Sequence, residues 1–480
     1  MLLRRPLLTL AACTLCVPTS LALQDDLDTN NQDSIKALAR NLTNSIISRY
    51  NERLYGGAAG LFDNETLEQS YPFWEAGAIW GSLLEYGHLT GDTQYNSLVS
   101  QAIIHQLGND NAFMSPNQTR TLGNEDQSSW ALTALTAAEV GLPVPQGQSG
   151  QWIDFASNVF NTQVERWDPQ ACSGGLRWQI FSLNMGYDYM DAGSASNFFL
   201  LSARLARFTG NKTYTEWAGK AYQWAEDHKF IDKFQVYGGA SVKDNCSKVE
   251  KAQWSMDHAV FTEGAAVMYN LTNGAEKWKN IVAGFANSTQ TFINSTTKTL
   301  YEPTCEIRTC SAADDVNIDN VLSRIACMNA GRCSVEQRAY KGVAIRSYYH
   351  TMRYAPFSAE KLQSVASSSA KGAKRSCYGL LDNDSDIFCG FSWAEAPITD
   401  VVINIQDDIG EMHNALSAIQ GLLWPQAKAL ASSNTSVGST SNSNGGTQQN
   451  QGNTAKNFGG RVEASLGLMA VIGGLFLVGL

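Results

Sequence analysis

The chain is expected to fold as an all-α protein, an (α/α)6 barrel of six helical hairpins. Three features point there: an Ala/Gly-rich helix–turn–helix pattern, six copies of it, and no linker between Leu27 and about Lys428. The first copy runs from Trp74 to Tyr95, with Thr90-Gly91-Asp92 as its turn. A weaker one spans Trp130 to Val140, where Gly141 and Pro143 stop the helix. Asn197 to Tyr214 repeats the pattern around Thr209-Gly210-Asn211, and Phe261 to Trp278 repeats it around Thr272-Asn273-Gly274. Lys341 to Tyr354 and Asp408 to Leu423 are the last two. Small residues let the inner helices crowd together while outer helices cover them. An open solenoid would share the pattern, and six copies favour closure.

Of the 480 residues, 44% are hydrophobic and 17% charged, enough for a large core. The net charge of -10, with no Lys/Arg run, excludes the positive stripe that a nucleic-acid partner requires. The 12 Trp and 17 Tyr supply aromatic faces that suit sugar rings as well as cores.

Both ends read as targeting segments. Residues 1–22 place Arg4 and Arg5 before an apolar run and finish in Ser20-Leu21-Ala22, the form of a secretory signal. Residues 23–430 form the expected barrel domain, and 431–453 a Ser/Asn/Gly-rich stalk. Residues 454–480 follow the order of a GPI-attachment propeptide: small residues around Asn453-Thr454-Ala455, a polar spacer, then an apolar tail from Leu466. That tail is shorter than the about 20 residues of a spanning helix. A GPI lipid on the outer face of the plasma membrane, or in the cell wall, is therefore expected. Ten N-x-[ST] sequons fit passage through the secretory route. Two of the ten cysteines fall in the signal, and the even remainder (Cys172, Cys246, Cys305, Cys310, Cys327, Cys333, Cys377, Cys389) argues for disulfides of undetermined pairing.

In such a barrel the loops entering the inner helices converge. These are Tyr71 to Glu75, Leu122 to Trp130, Trp178 to Asn197, Gln253 to Phe261 and the stretch before Asp408, and most are polar and aromatic together, as a carbohydrate cleft would be. Glycoside hydrolysis needs two carboxyl groups, one protonated and one ionised. Adjacent acidic pairs occur at Asp25-Asp26, Glu125-Asp126, Glu226-Asp227, Asp314-Asp315 and Asp407-Asp408. Only Glu125-Asp126 opens an inner helix beside aromatic and amide groups. The alternative there is a helix cap, since acid in a first turn favours the positive helix end. Asp26-x-Asp28-x-Asn30 is no calcium loop, because Asn31 and Ala37 replace the glycine and the final glutamate. No metal site and no cofactor are read from the sequence: the six histidines are scattered.

Several ordered stretches carry a family resemblance: Trp74-Glu75-Ala76-Gly77-Ala78-Ile79-Trp80-Gly81, Met114 to Thr119 running into Glu125-Asp126-Gln127, Gly174-Gly175-Leu176-Arg177-Trp178-Gln179-Ile180, Leu201 to Asn211, and Gly264-Ala265-Ala266 with Tyr269-Asn270. On these the chain resembles the family 76 glycoside hydrolases, above all their fungal GPI-anchored branch, which act on α-1,6-linked mannose. The resemblance implies an (α/α)6 barrel and a retaining mechanism, with Glu125 as nucleophile and Asp126 as general acid/base. The family carries two aspartates there, so Glu125 is a departure that adds one methylene; a displacement of about 1 Å can cost about 100-fold in rate. Where the fungal relatives carry Asn-Asn-Gly-Tyr-Asn-Tyr-Lys-Asn, this chain reads Leu183-Asn184-Met185-Gly186-Tyr187-Asp188-Tyr189-Met190-Asp191, and Met256-Asp257 follow Gln253-Trp254-Ser255 in place of an aromatic and an asparagine. These changes add acid to the expected cleft, and Asp188 or Asp257 could raise the pKa of the acid/base or bind sugar hydroxyls. Trp74, Trp130, Tyr187 and Trp254, with Trp178, are candidate sugar platforms or packing residues. Gln127, Arg177 and Asn184 complete the substrate-binding candidates, and Arg177 could instead hold a carboxylate.

The resemblance implies an endo-α-1,6-mannosidase acting on wall mannan or on the mannose of a GPI core. Transfer to a β-glucan acceptor is the variant that retaining chemistry also permits. A mannan-binding scaffold with impaired catalysis is the alternative that the Glu125 change motivates.

Overall fold

The computed structural model describes residues 27–52, 58–64, 69–70, 72–306, 333–378, 387–394 and 409–432. The secretory signal, the GPI propeptide, nearly all of the stalk, Cys310 and Cys327 lie outside the described residues.

Twelve α-helices are described: α1 (Gln32–Glu52), α2 (Phe73–Thr90), α3 (Asn96–His105), α4 (Asn124–Glu139), α5 (Trp152–Arg166), α6 (Ala192–Thr209), α7 (Lys212–Asp227), α8 (Ser255–Leu271), α9 (Glu276–Ser288), α10 (Val335–Tyr354), α11 (Ala359–Ser376) and α12 (Ile409–Gln420). The even-numbered helices form the inner ring. Each packs on the next, and α12 returns to α2, so the barrel closes. The outer layer is α3 on α2, α5 on α4, α7 on α6, α9 on α8 and α11 on α10.

The sixth hairpin differs from the one expected at Asp408 to Leu423. There α12 is followed by a 3-10 turn, Gly421–Gln426, and its outer partner is α1, from the opposite end of the domain. The barrel is sealed by its N-terminal helix.

Small residues set the helix spacing as expected. A Cβ on Gly264 of α8 would lie 2.5 Å from the Phe199 ring of α6, and one on Gly342 of α10 would lie 2.6 Å from Asn414 of α12. The turns also match. Gly91 and Gly210 cap α2 and α6 in the left-handed conformation, at φ 81° and 73°, where a side chain would be strained. Beside them, Thr90 and Thr209 return their hydroxyls to the carbonyls of Tyr86 and Leu205.

Deep inside, five inner helices are tied by a belt of charge. Arg204 (α6) lies 2.6 Å from Glu139 (α4) and donates to Thr136. Arg346 (α10) lies 2.7 Å from Glu85 (α2), and His350 (α10) bridges Glu85 at 3.0 Å and Glu263 (α8) at 2.9 Å. Burial opposes a charge on His350, but the two carboxylates on its ring nitrogens lift its pKa to about 9. A pKa raised above the unfolded value gives stability that is complete below about pH 6.5 and is lost as pH rises through about 9. The thermal midpoint is therefore expected to fall between pH 7 and pH 10, and a His350→Gln variant should show a weaker fall over the same range.

Three disulfides are described: Cys172–Cys246, Cys305–Cys333 and Cys377–Cys389. The first ties the loop before α6 to the loop before α8, both at the cleft. Between those loops lies a three-stranded antiparallel sheet, Tyr189–Asp191 against Gly239–Ser241 against Val249–Glu250, which the helical pattern does not predict.

Candidate active site

The N-terminal ends of α4, α6, α8 and α10 bring five carboxyl groups to one mouth of the barrel. They belong to Glu125 and Asp126 in the first turn of α4, Asp191 at the N-cap of α6, Asp257 in the first turn of α8 and Glu336 in the first turn of α10. Trp74, Glu125, Met256, Glu336 and Tyr340 line the upper part of a narrow cavity that reaches down to Arg204 and His350.

Loop pairing fixes the start of α4. The Asn124 N–H donates to the Trp178 carbonyl and the Ile180 N–H to the Leu122 carbonyl, while Trp178 itself donates its N–H to Tyr189. This seats the Trp178 indole over the helix end, where its N–H donates to Glu125 Oε1 at 2.5 Å. Asp126 turns the other way. Its Oδ1 accepts from the Trp74 N–H at 3.1 Å and its Oδ2 from the Gly123 N–H at 2.7 Å. Asp126 therefore closes a capping box, the structural role weighed against catalysis, and still presents a carboxyl beside Glu125.

Both carboxyls are raised in proton affinity. Burial and then the neighbouring Asp191 carboxyl push Glu125 well above the usual range, with Asp126 and Glu336 adding to the effect. Burial lifts Asp126 to about 7, against the two backbone N–H groups that favour its ionised form. Burial, Asp191 and Glu302 raise Asp257 as well. In the free cleft the two carboxyls titrate as a pair that keeps a proton above the usual carboxylate range. The division of labour implied by the resemblance, Glu125 attacking and Asp126 donating, requires that proton to be on Asp126 at the moment of attack.

The other candidate residues divide into three groups. At the cleft are Trp74, Trp254 and the buried Asp257, with Tyr340 between the two indoles at 5.7 and 5.5 Å. In the adjoining loop, Arg177 donates to Asp168 at 2.9 Å and to the Tyr187 carbonyl, and its guanidinium covers the Tyr187 ring. Arg177 thus holds a carboxylate, the second of its two expected roles. Asn184 tethers the same loop to the Thr119 carbonyl and to Gln179. Asp188 is exposed and pairs with Lys243 at 3.0 Å, so the acid pressing on the pair from other elements is Asp191 with Glu336, and neither Asp188 nor Asp257.

Gln127 and Trp130 are not brought to the cleft. Gln127 is fully buried toward α5, where it bonds the Ala112 carbonyl, Thr162 and Arg166. Trp130 is fully buried against Phe73 and Phe113, with its indole donated to the Phe73 carbonyl. Helical periodicity explains both: two and five residues beyond Glu125 lead off the helix face that looks up the cleft. Sequence reasoning missed Asp191 and Tyr340 as site residues, and it read Trp178 as a platform when its N–H orients Glu125. The acid replacing the final Asn of the fungal motif was the available signal for Asp191.

An (α/α)6 barrel with paired, proton-poised carboxyls in a polar-aromatic cleft defines a glycosidase. The sequence profile of glycosyl hydrolase family 76 matches residues 34–318 and 310–434, and the chain belongs to that family. It is 34% identical over 371 residues to the mannan endo-1,6-alpha-mannosidase DCW1 of Saccharomyces cerevisiae, covering 77% of this chain and 75% of that one. The crystal structure of Dfg5 from Chaetomium thermophilum in complex with glucosamine is similar at 31% identity and a TM-score of 0.74, over 85% of this chain and 95% of that one. The GH76A alpha-1,6-mannanase of Salegentibacter sp. HEL1_6 shares the fold at 13% identity and a TM-score of 0.59, over 80% of this chain and 98% of that one.

Proposed function

We propose that the protein is an endo-acting α-1,6-mannosidase of the fungal cell surface that works on mannan by a retaining mechanism through Glu125 and Asp126. The observation that carries the reading is the pair itself: two adjacent carboxyls, one on an indole N–H and one on two backbone N–H groups, at the head of an acidic cleft. The relatives named as mannan endo-1,6-alpha-mannosidases support the substrate. One carboxylate attacks the anomeric carbon and forms a mannosyl ester, while the other carboxyl gives its proton to the departing glycosidic oxygen. Water then attacks the ester carbon, returns a proton to the second group and frees the first. A sugar hydroxyl in place of water would complete a transfer, so mannose of a GPI core as donor and a β-glucan as acceptor remain part of the proposal. The secretory and GPI signals read in the sequence at the two ends support a site of action outside the cell.

Mass spectrometry of products from the purified protein and a linear α-1,6-mannopentaose, with and without a β-glucan oligosaccharide, tests this. Shorter mannosides are expected, and mannose-bearing glucan adducts would add transfer. Binding without any product would contradict the reading.

A further inference from the structure

Gly193 is the second residue of α6 and has an ordinary helical backbone, so its missing side chain matters for space alone. A Cβ built there would stand 2.4 Å from Glu125 Oε2, 2.8 Å from Asp191 Oδ2 and 3.6 Å from Asp257 Oδ1. The first distance is shorter than any tolerated contact. The Glu125 carboxyl therefore lies on the bare start of α6, next to the carboxyl that caps the helix. That cap is firm: Asp191 Oδ2 accepts the Ser194 N–H at 2.9 Å.

We propose that Asp191 and Gly193 form a seat for the Glu125 carboxyl, in which Gly193 makes room for the longer glutamate arm and the capping Asp191 carboxyl stands beside it and sets its position. Both are positioning residues, since they act on the reaction through Glu125. The proposal rests on the reading of Glu125 as a catalytic group. It also accounts for a glutamate in this place, because the methylene that would push the carboxyl out of register is taken up over Gly193.

Burial and the neighbouring Asp191 carboxyl favour the protonated form of Glu125. The other groups facing Glu125 are Asp126 on its own helix, Trp178 from the preceding loop, Asp257 on α8, and Glu336 and Tyr340 on α10. Among those described, none carries a positive charge that would substitute for the proton.

Three variants of the full-length protein test the seat. Asp191→Asn keeps an N-cap oxygen and removes only the charge. The limb of the pH–rate profile governed by Glu125 should then move toward acid by about one pH unit or more. Gly193→Ala should still fold, with a melting temperature lowered slightly because the capping Asp191 Oδ2 must also shift, and should lose about 100-fold in kcat by displacing the Glu125 carboxyl. Shortening the arm in a Glu125→Asp, Gly193→Ala double variant should recover much of that loss.

An unmoved pH limb in Asp191→Asn, or full activity in Gly193→Ala, overturns the proposal. Carbon-13 NMR titration of the Glu125 carboxyl, identified by its absence in Glu125→Gln, separates this from a failure of the functional reading. Should the wild-type protein cleave no mannoside, the mannosidase assignment falls, while a lowered Glu125 titration in Asp191→Asn would still uphold the seat and an unchanged one would refute it.

Discussion

Replacing Glu125 by glutamine is expected to lower kcat on α-1,6-mannan by about 100- to 10,000-fold, the range that a positioned proton-transfer group contributes. The fold should survive, because the amide oxygen of glutamine can still accept the Trp178 indole N–H and Glu125 caps no backbone group. KM should change little if the loss lies in the transition state. Asp126→Asn should be equally damaging to activity and should also lower the melting temperature, since Asp126 closes the capping box at Gly123 and accepts the Trp74 N–H. Steady-state kinetics combined with thermal unfolding of both variants separates these outcomes. Retained turnover in Glu125→Gln would remove that residue from the mechanism.

The second large effect lies away from the chemistry. Arg204→Met is expected to destabilise the protein by up to about 3–5 kcal/mol, because it leaves the buried Glu139 with only the more distant Arg207, at 3.9 Å, as a charged partner. The methionine fills much of the same volume, so most of the loss is electrostatic. Replacing both partners, Arg204→Met with Glu139→Leu, should recover a large part of it, as apolar substitutes for a buried pair often do. Chemical denaturation of the two variants measures the difference. Equal losses in both would show that packing, and not the buried charge, governs this part of the barrel.

The inner ring is legible in the sequence because each inner helix couples a run of small residues to a Gly turn, as Thr90-Gly91 and Thr209-Gly210 show, and close helix approach demands both. The outer helix α1 carries no such turn, and it pairs with a helix at the far end of the domain, so nothing local announces its partner. The catalytic candidates were found from position at a helix start, which also explains the errors. Gln127 and Trp130 follow Asp126 in sequence, yet the helical period turns them toward α5 and the core. Asp191 became visible only once a short strand delivered it to the N-cap of α6, beside a glycine whose importance is the space it leaves.

The proposed reaction rests on Glu125 and Asp126 as the pair that forms and breaks the glycosyl ester. The most direct test is to trap that ester with a 2-deoxy-2-fluoro-α-mannosyl fluoride or an epoxide-based α-1,6-mannoside and to locate the label by peptide mass spectrometry. A label on the peptide carrying Glu125 and Asp126, with fragmentation choosing between them, is the expected result and assigns the nucleophile. A label on Asp191, Asp257 or Glu336, or turnover that leaves no ester and releases product of inverted configuration, would contradict it.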